Sequence, residues 1–204
     1  MNHFDAIARQ WDQNPERFER SKTIANELIA SIPLNNKMRA LEYGAGTGIL
    51  SIMLKDQFSE IMMMDSSAEM VNVMLEKIEP TGFNHLKPMF LNLEDTPYHD
   101  KPFDLVYSLL VMHHIQNIDL VLARFADMIK PGGYVVLIDL FAEDGSFHGA
   151  DFDGHNGFEP DFLTKKLKES GFHQISYKHC HSIERQNEAG ERREYPLFLM
   201  MAKR

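Results

Sequence analysis

The chain has one cysteine, Cys180, among its 204 residues. That excludes an internal disulfide and any zinc site built from several thiolates, and it suits a reducing, cytoplasmic setting. No neighbouring residue type would activate the thiol, so Cys180 is expected to be buried and inert. No apolar run reaches the roughly 20 residues that a bilayer-spanning helix needs. The opening "MNHFDAIARQWD" lacks the apolar stretch and small-residue cleavage site of a secretory signal. Positive charge is scarce: 21 Lys and Arg stand against 30 Asp and Glu, a formal net charge of −9. An acidic chain has no general attraction to phosphate backbones, which disfavours nucleic acid as a partner. The densest basic stretch, "ERREY", is itself flanked by acids. There is no internal repeat and no low-complexity tract.

What the chain does have is alternation. From Met38, apolar strand-like runs ("MRALEY", "EIMMMD", "HLKPMFLN", "FDLVYSLLV", "YVVLIDLF") alternate with helical patterns. "SSAEMVNVMLEKIE" carries Met70, Val71, Met74, Leu75 and Ile78 at helical spacing, with Ser66 and Glu69 in a capping-box pattern. "NIDLVLARFADMI" is amphipathic and starts at a cap, Asn117. "KPGG" is expected to stop that helix and turn the chain. Such alternation implies parallel βαβ units with right-handed crossovers, in a sheet covered on both faces. After a helix over "EPDFLTKKLKES", ended by Gly171, "FHQISYKHC" and "EYPLFLMMA" follow with no helix between them, the pattern of an antiparallel hairpin at one sheet edge. Many of the 13 methionines fall in these runs and read as core filling. Residues 1–32 read as one or two helices whose apolar face is Ile24, Ala25, Leu28 and Ile29. The stretch "AEDGSFHGADFDGHNGF" is a long aperiodic loop, a length that is usually functional or disordered.

Directly after the first strand comes "LEYGAGTG", Leu41 to Gly48. Glycine at a strand-to-helix turn permits positive φ and lets a ligand touch the backbone. In an open parallel sheet, ligands bind beyond the carboxyl ends of the strands. A dinucleotide fingerprint would read G-x-G-x-x-G. Here Gly44, Gly46 and Gly48 give G-x-G-x-G, which disfavours a pyrophosphate cradle. Asp65 closes the second run, where a ribose-binding acid belongs, about 20 residues on.

These motifs, in this order, resemble those of class I S-adenosylmethionine-dependent methyltransferases. The likeness runs from Leu41 to the C-terminus through "LEYGAGTG", "MMMDSSAEMV", "LNLEDTPYHDKPFDLVYSLLVMHHI", "MIKPGGYVVLID", "DGHNGFEPDFLTKKLKESGF" and "EYPLFLMMAKR". It implies a Rossmann-like, doubly wound α/β sheet of seven strands, mostly parallel, with an antiparallel C-terminal hairpin strand. One domain would fill residues 1–204, with a core over 38–204 and a helical lid over 1–32. S-adenosyl-L-methionine is the implied cofactor. Glu42 would meet its amino group, directly or through water; Gly44 and Gly46 would face its methionine moiety and ribose through backbone atoms, with Tyr43 also in the cofactor site; Asp65 would accept from the ribose hydroxyls. Ser66 and Met70 would border the adenosine. Asn92, Leu93 and Glu94 fall at the adenine contacts, although the family often has Asp where Asn92 stands. Leu109 would offer backbone near the sulfonium. Trp11 is expected to cap the cofactor or substrate, and Arg17 or Arg20 to pair with the cofactor's carboxylate.

Methyl transfer from a sulfonium needs near-attack geometry in a dry pocket more than it needs side-chain chemistry. A base is required only if the nucleophile carries a proton that must leave. Candidates are His113 and His114 after the fourth strand, and His148 and His155 in the long loop. Adjacent histidines do not point the same way, so at most one of His113 and His114 is expected to face the pocket. The spacing of these histidines with Asp151 and Asp153 matches no standard metal site, and no metal is expected. The composition and the resemblance together lean to a small, neutral or cationic acceptor, no membrane partner, and a monomer or homodimer. The competing readings are an RNA methyltransferase, a nicotinamide-dependent oxidoreductase and a non-catalytic S-adenosylmethionine-binding protein.

Overall fold

A computed structural model describes residues 3–186 and 190–204. The N-terminal segment forms α1 (His3–Ile7), a 3-10 turn (Ala8–Gln13) and α2 (Pro15–Ser31). There follow β1 (Arg39–Tyr43), α3 (Ile49–Leu54), β2 (Glu60–Asp65), α4 (Ala68–Ile78), β3 (Leu86–Phe90) and β4 (Phe103–Leu109). The chain continues through α5 (Ile118–Met128), β5 (Ile129–Leu140), α6 (Pro160–Glu169), β6 (His173–Gln186) and β7 (Arg192–Lys203). The seven strands form one sheet in the order β3-β2-β1-β4-β5-β7-β6. The first five run parallel to one another, and β7 inserts antiparallel between β5 and β6. This is the expected doubly wound sheet with its hairpin. Residues 187–189, between β6 and β7 in sequence, lie outside the described residues. Among the described residues no helix is long and apolar enough to cross a membrane.

Side-chain alternation along the strands assigns each residue to a face. Ala40, Leu105, Tyr107, Val136, Ile138 and Leu199 join Ile24 and Leu28 of α2, Leu50 and Leu54 of α3 and Met74 of α4 in one core. Leu41, Tyr43, Val106, Val135, Leu137 and Phe198 join Val121, Leu122 and Phe125 of α5 and Leu163 and Leu167 of α6 in the other. Both faces are therefore dry, which is why the central strands read as unbroken apolar runs. Pro88 sits in β3 without cost to the ladder because β3 is an edge strand.

Four local expectations are corrected. Ser67, not Ser66, caps α4: its hydroxyl accepts from the Met70 N–H at 3.2 Å, while Ser66 is exposed. "KPGG" is not a connecting turn. Strand β5 begins at Ile129, directly after α5, and the glycines lie in a register shift against β4. Ile29 is 42 % exposed, because the buried stripe of α2 runs through Ser21, Ile24, Ala25 and Leu28. The hairpin strands are longer than the runs "FHQISYKHC" and "EYPLFLMMA" suggest, since β6 extends to Gln186 and β7 starts at Arg192. The Asn117 cap stands as expected, accepting from the Leu120 N–H at 3.0 Å.

The strand order reverses between β1 and β4, the neighbours from which the chain winds outward in both directions. The crevice beyond their carboxyl ends is where an open α/β sheet receives ligands. The glycine turn after β1 and the two histidines after β4 both border it.

Candidate cofactor and acceptor site

The glycine turn is held by the sheet itself. The N–H groups of Gly44 and Ala45 donate to the Met64 carbonyl at 2.8 and 2.9 Å. Gly44 has φ +71, and a Cβ there would lie 2.3 Å from Val111 Cγ2. Glycine is thus demanded at Gly44 by the close approach of the segment after β4, independently of any ligand. At Gly46 a Cβ would stand 3.6 Å from the Trp11 indole nitrogen. The N-terminal segment therefore roofs the turn at contact distance.

Asp65 ends β2 and binds both neighbours. Its Oδ2 accepts from the Gly46 N–H at 2.7 Å and its Oδ1 from the Ser67 N–H at 2.8 Å. Burial pushes its pKa up to about 6 against the opposing effect of these bonds. Each oxygen has more than one lone-pair site, so the carboxylate can take further donors from the crevice.

Glu42 is 3 % exposed and faces α3. It accepts from the Ser51 N–H at 3.1 Å and from the Ser51 hydroxyl, whose oxygen also meets the Tyr107 hydroxyl at 2.8 Å. Burial raises its pKa to about 8, so the carboxyl is mostly protonated at neutral pH. Tyr43 is buried edge-on against Phe125, with ring centroids 5.4 Å apart. Beyond β3, Asn92 accepts from the Glu94 N–H at 3.0 Å and donates to Asp95 at 2.8 Å. The Glu94 carboxylate accepts from the Asn117 N–H at 2.8 Å. Leu93 is fully buried, and its carbonyl accepts from Arg124. Met70 is buried too, and Leu109 is half-buried at the end of β4.

The N-terminal segment lies across this region. The Ser67 hydroxyl donates to Asp5 at 2.6 Å, and the Thr47 hydroxyl donates to Asp12. Lys77 donates to Asp12 at 2.6 Å and to the Thr47 carbonyl at 2.8 Å. Arg9 pairs with Glu76 through two bonds, at 3.0 and 3.2 Å. Arg17 lies 3.6 Å over the Trp11 ring and donates to the Trp11 carbonyl at 2.7 Å.

On the other wall, His113 is 1 % exposed. Its Nδ1 meets Asp139 Oδ1 at 2.6 Å, and its backbone N–H donates to Asp139 Oδ2 at 3.3 Å. Asp139, fully buried near the end of β5, also accepts from the Leu140 N–H at 2.8 Å. A carboxylate at Nδ1 fixes the proton there and leaves Nε2 with the free lone pair. His113 and His114 do not diverge as expected. They sit on a 3-10 turn, Met112–His114, which brings the two rings together. Their ring centroids are 4.2 Å apart and lie 5.0 and 5.2 Å from His148. One ring nitrogen from each of the three falls within 4.8 Å of the others. Burial, with the neighbouring rings, lowers the pKa of His114 to about 3 and that of His148 to about 4. His155 stands apart. Its Nε2 meets the Ile115 carbonyl at 3.0 Å and its N–H donates to the His113 carbonyl at 2.7 Å, so it pins the long loop to the turn after β4.

Two features were not anticipated from the sequence. Asp139 carried a signal, an acid inside the apolar run "YVVLIDLF", since a buried charge needs a partner. Leu110 carried none. It adopts φ 56 immediately after β4, a sparsely populated conformation for a branched side chain and the kind of strain that gathers at functional sites.

The description "Methyltransferase domain" belongs to the family model that matches residues 11–188, and the chain belongs to that family. A demethylmenaquinone methyltransferase of Bacillus pumilus is 25% identical over 141 residues, covering 67% of this chain and 60% of that protein. A solved S-adenosylmethionine-dependent methyltransferase of Aquifex aeolicus shares the fold with a TM-score of 0.71 at 17% identity, covering 97% of each chain. Phosphoethanolamine N-methyltransferase 2 of Haemonchus contortus, solved with S-adenosyl-L-methionine, gives 0.68 at 16% identity, covering 84% of this chain and 50% of that one. The chain spans 52% and 60% of the length of the first curated relatives it matches. The fold is the Rossmann-like one of class I methyltransferases.

Proposed function

We propose that the chain transfers a methyl group from S-adenosyl-L-methionine to a small molecule in the cytoplasm. In this reading residues 38–204 form the catalytic core and 1–32 the lid of one domain. One observation carries it: the crevice between β1 and β4 brings Gly46 and Asp65 to one wall and the His113–Asp139 pair to the other. The residues fit the cofactor. Gly46 has no side chain and lies directly under the Trp11 indole, so a ligand on the turn would meet backbone below and, once the indole moves aside, an aromatic face above. Asp65 is one strand away, with one carboxylate oxygen accepting from the turn's own Gly46 N–H. When bound, S-adenosylmethionine supplies an activated methyl group.

The protein's own residues do the rest. Asp65 and the backbone of Gly44–Gly46 hold the nucleoside end. Trp11, Phe4 (edge-on to Trp11 and to His114, with ring centroids 6.0 and 5.2 Å apart) and the contacts from Asp5 and Asp12 to Ser67 and Thr47 close the N-terminal segment over it and exclude water. Entry requires those contacts to open. His113 accepts a proton at Nε2 from the acceptor, and Asp139 steadies the imidazolium so formed. His114 and His148, which resist protonation, keep neutral rings at the reacting face. An acceptor whose attacking atom carries a proton at neutral pH is therefore favoured.

A titration with S-adenosylhomocysteine followed by a methyl-transfer screen with labelled cofactor against metabolite extracts tests this reading. Saturable binding and a labelled small product are expected. Binding of a nicotinamide cofactor in its place would contradict it.

A further inference from the structure

Three arginines meet at the edge of the crevice, and among the described residues none of them forms an ion pair with an acid. Arg17 and Arg20 come from α2, and Arg185 comes from β6. The elements are held together nearby by Lys178 and Glu27, 2.6 Å apart. Arg185 lies 3.7 Å over the Phe147 ring and donates to the Phe147 carbonyl at 2.9 Å. Phe147 in turn packs edge-on against His148, with ring centroids 4.8 Å apart, and against Tyr195 at 5.1 Å. The cluster thus continues into the imidazole wall through a single aromatic ring. The Nε of Arg20 is buried and has no hydrogen-bond partner among the described residues.

The charges repel one another. Burial, then Arg17 and Arg185, lower the pKa of Arg20 to about 10. Burial and Arg17 lower that of Arg185. The facing acids are Asp12 toward Arg17, and Glu16 toward Arg20 and Arg185. Among the described residues, neither approaches any of the three within the 4.0 Å of an ion pair. Elsewhere on the surface Arg9, Arg39 and Arg193 each have a carboxylate partner. A chain with nine excess negative charges has acids to spare. Leaving three guanidinium groups together, partly buried and unpaired, costs stability, and such strain persists where a ligand's charge relieves it.

We propose that Arg20 and Arg185 recognise an anionic group of the methyl acceptor, a carboxylate or a phosphate, with Arg17 beside them at the cofactor. The assignment rests on the methyl-transfer reading and adds the acceptor's chemical class to it. The forked guanidinium matches the oxygens of either group in a bidentate fashion. Arg17, stacked on the Trp11 ring that roofs Gly46, is the one placed to meet the cofactor's own carboxylate. Arg20 and Arg185 then remain for a second anion. This differs from the neutral or cationic acceptor expected from the net charge, because recognition depends on local charge and not on the sum.

Trp11 is the chain's one tryptophan, so its fluorescence reports on this corner. The protein, saturated with S-adenosylhomocysteine, is titrated at constant ionic strength with inorganic phosphate and, separately, with acetate. Saturable quenching by at least one is expected, and which one responds separates a phosphate from a carboxylate acceptor. Arg20→Gln and Arg185→Gln should weaken that binding at least tenfold while leaving S-adenosylhomocysteine affinity within twofold. Arg20→Met should raise the melting temperature of the free protein by roughly 2–4 °C, which a residue with a purely structural role would not do. If neither anion gives a saturable response, or if both glutamine variants instead lose S-adenosylhomocysteine affinity, the proposal is overturned. Loss of S-adenosylhomocysteine binding in the unaltered protein, with anion binding intact, would sink the methyl-transfer reading and leave the anion site standing.

Discussion

Asp139 Oδ1 lies 2.6 Å from His113 Nδ1, and both side chains are closed off from solvent. The pair joins the end of β5 to the turn after β4, on the opposite wall of the crevice from Asp65. Such a carboxylate sets which imidazole nitrogen is free, and it stabilises the ring once that nitrogen is protonated.

Asp139→Asn removes the charge and keeps the shape. The turnover rate for methyl transfer should fall by about 10²-fold, within the range for an impaired general base. S-adenosylhomocysteine affinity, measured by calorimetry, should stay within twofold. A rate unchanged by Asp139→Asn would assign the pair to packing alone.

Glu42 predicts a pH dependence of folding. Its pKa is raised to about 8 in the folded chain, above the 4.5 of an ordinary glutamate. The folded state then holds a proton that the unfolded state releases, so the contribution is full below 4.5 and is lost as pH climbs toward 8. Denaturant midpoints should show this decline between pH 5 and 8. Glu42→Gln, which mimics the protonated carboxyl, should flatten it. A Glu42→Gln profile parallel to that of the unaltered protein would mean Glu42 is ionised in its pocket.

The three ring nitrogens of His113, His114 and His148 are close enough to suggest a transition-metal site, for which imidazole is a suitable ligand. With His113 as a base, methyl transfer should survive dialysis against EDTA with its rate unchanged. Activity lost to EDTA and restored by zinc or cobalt would make His113 a ligand and remove it from proton transfer.

Much of the framework was legible because it rests on periodicity. Unbroken apolar strands, amphipathic helices and the "GAGTG" turn each carry their own local signal, and the seven-stranded sheet follows from their order. The departures arise where one residue's choice is decided by a distant neighbour. The capping-box pattern with Glu69 points to Ser66, yet Ser67 is the cap, and its 2.6 Å bond to the distant Asp5 accompanies that choice. Gly44 reads as a ligand contact, yet Val111 already forbids a side chain there. The convergence of His113 and His114 needed a 3-10 turn that no pattern announced. The arginine cluster joins α2 to β6, about 165 residues apart in sequence, which neither composition nor spacing reveals.

Asp65 is the sharpest test of the account, because the cofactor site stands or falls on it. The measurement is a calorimetric titration of S-adenosylhomocysteine into the unaltered protein and into Asp65→Ala, at pH 7.5 and again at pH 5. Ribose hydroxyls donate to the ionised carboxylate, so binding draws its raised pKa of about 6 downward, and affinity should weaken at pH 5. Asp65→Ala should lose about 1–3 kcal/mol of binding at pH 7.5 and show a smaller pH effect. An Asp65→Ala protein that binds as tightly as the unaltered one, with the same pH profile, would contradict the placement of the cofactor at this turn.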